Sequence, residues 1–191
     1  MSAPAESAAK LGDGPAGIPQ PVLVRGTGLL GTSIGIGLSA AGVDVRLHDP
    51  SPAALAVAAD IRAGRPARLD AEGDDLDAAP GLVVVAAPPD VTADVVVDSL
   101  RRWPAAVVVD IASVKEAVAA GVRAAVDDGR LAPQDADRYL GTHPMAGSER
   151  SGPVAARGTL FTQAPWVLCP TDTTHPGALA AGRALAQTLQ A

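Results

Sequence analysis

A histidine and a serine stand where two predicted strands end, and both side chains can move protons. His143 follows the strand-like run that begins at Tyr139, and Ser113 follows the run Val107–Ile111. An imidazole titrates near neutral pH, and a hydroxyl can donate one hydrogen bond while it accepts another. The two residues are therefore candidates for acid–base catalysis. Each also has a plainer interpretation: a structural histidine, and a serine that caps a helix with Glu116 in capping-box spacing.

Three glycines form a G-x-G-x-x-G pattern between a predicted strand and a predicted helix. The pattern is Gly26-Thr27-Gly28-Leu29-Leu30-Gly31; it follows the run Val22–Arg25 and overlaps the helical run Leu30–Ala41. In a dinucleotide-binding turn the first glycine allows the tight turn, the second lets backbone approach a pyrophosphate, and the third lets the helix pack closely on the strand. The pattern alone is weak, but its context favours a phosphate-binding loop.

Two further segments extend this candidate cofactor site. Asp49 ends the second predicted strand, 18 residues after Gly31, where a carboxylate can bond the ribose diol. Its charge would repel a 2′-phosphate, and no basic residue follows it in Pro50–Pro52, so NAD is favoured over NADP. The run Val83–Pro89 predicts a buried strand whose end, with Ala87 and Pro88, would line the nicotinamide side. A strand simply ended by prolines is an equally economical interpretation.

The remaining polar and reactive side chains are interpreted as structural. Arg25 interrupts the apolar first strand, so its guanidinium must reach solvent or a phosphate, and we expect it to extend to solvent. Lys115 is expected on the surface of a first helical turn. His48 and His175 are expected to be structural, and Cys169 is expected to pack at a strand end as a small hydrophobic residue.

The elements that must position these residues alternate between strand and helix. Strand-like runs lie at 22–25, 43–48, 82–86, 107–111, 139–142 and 166–168, with Ala-rich helical stretches between them. This alternation predicts an α/β fold of the Rossmann type: a doubly wound, mostly parallel sheet with helices on both faces. Residues 1–20 are predicted to be a flexible tail and residues 21–191 an NAD-binding Rossmann domain. The segment 62–80 is predicted to be an acidic surface connection, and Ser51 and Asp90 are predicted to cap helices.

Composition narrows the class of function. The net charge of -6 over 191 residues argues against nucleic acid as a partner, and a small-molecule substrate is expected instead. The one cysteine permits neither an intramolecular disulfide nor a multi-thiolate metal site, so no metal is expected and a reducing compartment is favoured. Because no apolar run is long enough to span a bilayer and the first residues lack a signal-peptide pattern, we expect a cytoplasmic protein without a membrane partner.

Taken together, the motifs resemble those of the prephenate and arogenate dehydrogenase family. The resemblance covers about residues 22–170 and rests on five segments in the family's order and spacing. These segments are GTGLLGTS, VVVAAPPD, DIASVK, GTHPMAGSERSG and LFTQAPWVLCP. The combination of the Ser-Val-Lys and His-Pro-Met-Ala-Gly segments is specific to that family among dinucleotide-binding proteins.

The resemblance implies an NAD-dependent oxidative decarboxylation of prephenate to 4-hydroxyphenylpyruvate, a step of tyrosine and therefore aromatic amino acid biosynthesis. It implies that His143 takes up the hydroxyl proton and that Ser113 orients the partners, so that both contact substrate. Glu149 would lie near the entrance and contact substrate, although a solvated loop acid is an equal alternative. Arogenate is the alternative substrate.

The family's helical C-terminal domain, which completes the substrate pocket and forms the homodimer, has no counterpart before Ala191. The resemblance therefore implies an oxidoreductase that is poorly active as these 191 residues and that forms a dimer only when that domain is present. It also leads us to expect exposed apolar surface on the last helix, 178–189, which would normally contact that domain. Two other hypotheses stay open. One is a reductase of the β-hydroxyacid or imine type, disfavoured because no matching catalytic lysine segment occurs; the other is an NAD(H)-binding module or remnant without full activity.

Overall fold

The aliphatic runs form short strands and the Ala-rich segments between them form helices, as a computed structural model shows for residues 17–70, 73–146 and 152–191. The strands are β1 (Val22–Arg25), β2 (Val45–His48), β3 (Arg65–Pro66), β4 (Leu69–Asp70), β5 (Gly73–Asp74), β6 (Leu82–Val85), β7 (Val107–Asp110), β8 (Tyr139–Pro144) and β9 (Trp166–Cys169). The helices are α1 (Leu29–Ala40), α2 (Pro52–Asp60), α3 (Thr92–Arg102), α4 (Lys115–Asp127), α5 (Pro133–Ala136) and α6 (Pro176–Thr188), with a short 3-10 helix at Pro153–Ala155.

Seven strands form one sheet in the order β3-β2-β1-β6-β7-β8-β9. Neighbouring strands are parallel except for β9, which runs antiparallel to β8 at the edge. Strand order reverses between β1 and β6, and ligands of open α/β sheets bind at such a switch point, outside the carboxyl ends of the strands. The predicted Rossmann-type sheet is confirmed.

Helices cover both faces because alternate strand residues point to opposite sides. Val22 and Val24 pack with residues of α1, α2 and α6, whereas Leu23 packs with residues of α3 and α4. The expectation of exposed apolar surface on the last helix is wrong: α6 buries Ala178, Ala181 and Leu185 against the sheet. Its small side chains let it approach the sheet closely.

Two boundaries differ from the sequence prediction. Ile18, placed in the tail, is fully buried in the core, which moves the start of the packed domain ahead of residue 21. The segment 62–80 is more than a connection, because β3 extends the main sheet and β4 pairs with β5 in a small antiparallel hairpin. In the described part of the chain no helix combines the length and apolar character needed to cross a membrane.

Candidate active site

A cleft of about 760 Å³ opens at the carboxyl edge of the sheet. It collects residues that follow β1, β2, β6 and β7 and residues near the end of β8. The candidate site residues that line it are Gly26, Thr27, Gly28, Leu29, Leu30, Asp49, Ala87, Pro88, Ser113 and His143. Gly31 lies behind the loop, and Glu149 lies outside the described residues.

The glycine loop has the geometry that its spacing predicts. Gly26 has φ +111, and a Cβ there would overlap the carbonyl of Ala86. A Cβ on Gly31 would overlap the carbonyl oxygen of Gly26, so this glycine is needed for close packing. Gly28 instead faces open space, with no heavy atom within 4 Å of an added Cβ. It is also the N-cap of α1, and no side chain caps that helix, so the first N–H groups of α1 are left for an anion.

Asp49 is bound into the glycine loop as well as lining the cleft. Its Oδ2 accepts hydrogen bonds from the backbone N–H of Thr27 at 2.6 Å and from the Thr27 hydroxyl at 2.9 Å. Its Oδ1 accepts from the N–H of Ser51 at 2.8 Å. This carboxylate therefore ties the end of β2 to the phosphate-binding loop, a contact that sequence spacing did not reveal.

The loop after β6 lines the cleft with Ala87 and Pro88, but its predicted helix cap is wrong. α3 begins at Thr92 with Val91 as N-cap, and Asp90 makes no cap there. The Thr92 hydroxyl donates to the carbonyls of Ala87 and Pro88, at 3.1 and 2.8 Å. Because of Pro88 and Pro89 the helix begins further along the chain than predicted, and the Thr92 hydroxyl fixes the loop in place of an Asp90 cap. The predicted cap at Ser51 is confirmed, since its side chain accepts from Ala54 N–H.

Ser113 is exposed and does not cap a helix, which corrects the capping-box interpretation. α4 begins two residues later at Lys115, with Val114 as N-cap and no side-chain cap bond. The N–H of Ala112 is already taken by the Asp110 carboxylate, at 2.8 Å, so the chain turns before the helix starts. The Ser113 hydroxyl therefore stays available to a ligand in the cleft.

His143 is half-buried and belongs to β8 itself, which extends two residues beyond the predicted strand. It pairs with Val167 of β9 in the antiparallel ladder. The sheet thus fixes its backbone, and its ring shares the cleft lining with Ser113. The two candidate acid–base residues are brought to one site.

Arg25 does not extend to solvent as expected. Its side chain is 13% exposed and pairs with Asp98 at 2.6 Å, while also donating to the Ser99 hydroxyl and the Val95 carbonyl. The guanidinium lies over the ring of Trp103, 5.9 Å from its centroid. The contacts to α3 are all made through Nη1, whereas the buried Nε has no hydrogen-bond partner among the described residues. Arg25 thus forms part of the cleft wall.

His48 lines the same wall, with Nδ1 3.3 Å from the Ala67 carbonyl oxygen. Burial lowers the pKa of its imidazole, opposed by the Ala67 contact and reinforced by the charge of Arg25.

Lys115 is not the surface residue that the sequence suggested. Its ammonium donates to the Asp110 carboxylate and, at 2.6 Å, to the Thr142 carbonyl. Burial lowers the pKa of Lys115 despite the attraction of Asp110. Burial, together with the charge of Asp110, raises the pKa of the Tyr139 hydroxyl, which donates to the same carboxylate at 2.7 Å. Sequence reasoning missed this cluster, although the aspartate of the DIASVK segment was its one available signal.

Fold and cleft together define a nucleotide-binding α/β domain with a serine and a histidine at its ligand edge. Comparison with known proteins places it more narrowly. The family model described as "Prephenate dehydrogenase, nucleotide-binding domain" matches residues 35–191. The chain belongs to this family, a family of dehydrogenases.

Individual relatives agree with this assignment. The chain is 38% identical over 157 residues to "Probable prephenate dehydrogenase NovF" of Streptomyces niveus, covering 82% of this chain and 40% of that protein. It superposes on the arogenate dehydrogenase of Synechocystis with TM-score 0.71 and 25% identity, covering 88% of this chain and 56% of the other. For the prephenate dehydrogenase of A. aeolicus, in complex with hydroxyphenyl propionate and NAD+, the TM-score is 0.72, the identity 20% and the coverage 89% and 57%. The chain thus spans about half the length of these relatives or less.

Proposed function

We propose that the protein carries out the NAD-dependent oxidative decarboxylation of prephenate to 4-hydroxyphenylpyruvate, with this chain as the cofactor-binding half. The observation that carries the proposal is the meeting of two sets of residues in one cleft. The glycine loop and Asp49 supply a dinucleotide site, and Ser113 and His143 supply hydroxyl and imidazole groups beside it. Family membership gives the class of reaction.

The residues present fit a dinucleotide. The open space at Gly28 and the uncapped start of α1 suit a pyrophosphate, and Asp49 suits a ribose diol. Ala87 and Pro88 would face the nicotinamide side. Bound NAD+ would supply the hydride acceptor for the oxidation.

Two residues of the chain, His143 and Ser113, would accept the proton and orient the substrate. His143, as a neutral imidazole, would accept the proton of the ring hydroxyl. The Ser113 hydroxyl would donate a hydrogen bond to the substrate or to the imidazole. It is free to do so because Ser113 is exposed and caps no helix. Loss of carbon dioxide and aromatisation of the ring drive the reaction, so positioning is the main task left to the protein.

Several finer points belong to the same proposal. Prephenate is preferred to arogenate because the family model and the NovF relative are both described by prephenate. Glu149 is proposed near the entrance to the site. A packed NAD-binding domain, a cytoplasmic setting, low activity of these 191 residues alone and a homodimer that requires the family's helical domain are likewise proposed. Size-exclusion chromatography with light scattering tests the dimer.

The test uses the full-length gene product with prephenate or arogenate and either NAD or NADP, following reduction of the nicotinamide. We expect prephenate and NAD to be the preferred pair. His143→Asn should lower kcat by roughly 10² to 10⁴, the usual contribution of a positioned acid–base group, and leave NAD affinity unchanged. NAD binding without turnover of either substrate would instead support a binding module.

A further inference from the structure

A buried ion pair lies directly behind the two candidate acid–base residues. Asp110 ends β7 and is fully buried, and Lys115 opens α4 with a side chain that is 20% exposed. Neither lines the cleft, whereas Ser113 and His143 both do. The pair is therefore placed to act on the site without touching a ligand in it.

The segment that carries Ser113 is fixed at both ends by one carboxylate oxygen. Oδ1 of Asp110 accepts from the backbone N–H of Ala112 at 2.8 Å and from the ammonium of Lys115. Ser113 lies between these two anchors and is exposed. Its position consequently depends on the anchors rather than on packing of its own side chain.

The strand that carries His143 is held by the same pair. The ammonium of Lys115 donates to the Thr142 carbonyl at 2.6 Å, which fixes the peptide that leads into His143. The Thr142 hydroxyl donates to the main-chain carbonyl of Asp110 at 2.7 Å. The first contact joins β8 to the start of α4, and the second joins β8 to the end of β7.

A third donor completes the carboxylate's environment. The Tyr139 hydroxyl donates to Oδ2 of Asp110 at 2.7 Å, and the absence of a side chain at Gly141 leaves room for it, since a Cβ there would lie 3.2 Å from the Tyr139 oxygen and 3.4 Å from Lys115 Cδ. A buried ion pair adds little stability over a well-packed apolar pair. Here the ion pair fixes the relative positions of two segments, because three donors from those segments converge on one carboxylate.

We infer that Asp110 and Lys115 are positioning residues, which hold the Ser113 turn and the His143 strand in a fixed mutual arrangement at the cleft. The role in catalysis rests on the proposed function, but the positioning itself can be measured without turnover. Lys115→Met should release the Thr142 carbonyl and one anchor of the Ser113 turn. The effect should reach His143 and leave the adenosine end of the cleft undisturbed.

The chain contains three histidines, so the two others serve as internal references. With ring-labelled histidine, the NMR signal of His143, assigned through His143→Gln, should shift or broaden in Lys115→Met. The signals of His48 and His175 should stay in place. Tyr139→Phe, which removes one donor and no charge, should move the His143 signal in the same direction by less. Arg130→Gln, which breaks the exposed ion pair with Asp128, should move none of the three.

An unmoved His143 signal in a folded Lys115→Met protein would overturn the inference. If the Lys115→Met protein is unfolded, so that all three histidine signals move to their unfolded positions, the Tyr139→Phe variant is the test. A selective shift of the His143 signal in that variant supports the positioning role, and the absence of a shift overturns it.

In the full-length protein Lys115→Met should lower kcat by about 10²-fold, as expected for loss of alignment, with KM for NAD unchanged. An unchanged kcat would overturn the catalytic part of the role. Should wild type turn over no prephenate, the proposed function fails while the NMR result still decides the positioning.

Discussion

Asp49 and Thr27 are joined twice, because one carboxylate oxygen accepts both the backbone N–H and the hydroxyl of the threonine, at 2.6 and 2.9 Å. The carboxylate thus shapes the glycine loop on one side and faces the cleft on the other. A single residue couples the conformation of the phosphate-binding turn to recognition of the ribose. Substitution at Asp49 should therefore affect both.

Asp49→Ala should weaken NAD binding by about 10- to 100-fold, because hydrogen bonds to a charged group contribute roughly 1.5–3 kcal/mol each. It should also relax the preference for NAD over NADP. Asp49→Asn keeps the shape and removes the charge, so it should relax the preference with less loss of NAD affinity. Thr27→Val, which loses only the hydroxyl bond, should keep the preference for NAD.

Calorimetric titration of this chain with both cofactors measures these effects. An unchanged ratio of NAD affinity to NADP affinity in Asp49→Ala would show that Asp49 does not select the cofactor.

Alanine substitutions at Gly28 and Gly31 should have different effects, the first on NAD affinity and the second on stability. An added Cβ at Gly28 meets open space, and its φ of -70 suits any residue, so Gly28→Ala should fold normally and lose NAD affinity by obstructing the pyrophosphate. At Gly31 the Cβ would overlap the Gly26 carbonyl and press on Ala86. Gly31→Ala should lower the free energy of unfolding by about 1–3 kcal/mol, as overpacking does. Urea denaturation and calorimetry check the pair, and full NAD affinity in Gly28→Ala would argue against a phosphate at that turn.

Ser113 and Ser51 offer a second matched comparison. Ser51 accepts from Ala54 N–H at the start of α2, whereas Ser113 caps nothing. Ser51→Ala should cost about 1 kcal/mol of stability, the usual contribution of a cap. Ser113→Ala should leave stability unchanged and lower turnover by the full-length protein. Thermal melts of the two variants distinguish them, and an equal loss of stability in both would restore the capping interpretation.

The sequence was most informative where neighbouring residues decide the structure. The β1 strand, the glycine loop and the Ser51 cap depend on contacts within a few residues, and each was predicted correctly. The start of α4 was misplaced because Asp110 captures the Ala112 N–H first. This aspartate-to-backbone contact two residues along the chain competes with helix formation, and the capping-box spacing does not show it. The sheet order brings Lys115 to Thr142, 27 residues away, and no local pattern could show that contact. Exposed apolar surface was expected on α6 because the family's helical domain would normally cover that helix, whereas α6 packs on the sheet of its own domain.

His48 should make stability depend on pH in a defined window. Burial places the pKa of its imidazole below the ordinary 6.5 in the folded protein. Between the lowered value and 6.5 the unfolded chain binds more protons than the folded one, so the free energy of unfolding rises with pH there and falls on acidification. His48→Gln, which cannot titrate and can still donate to the Ala67 carbonyl, should flatten this slope.

The control is Asp44, whose pKa is held below its usual 3.8 mainly by the hydrogen bond from Arg46. Its contribution to stability is present above that pH and is lost only on stronger acidification. Asp44→Asn should consequently leave the slope near pH 6 intact while changing stability at the acid end. Urea denaturation at a series of pH values measures both slopes. A His48→Gln protein with the wild-type slope near pH 6 would show that another group takes up the proton there.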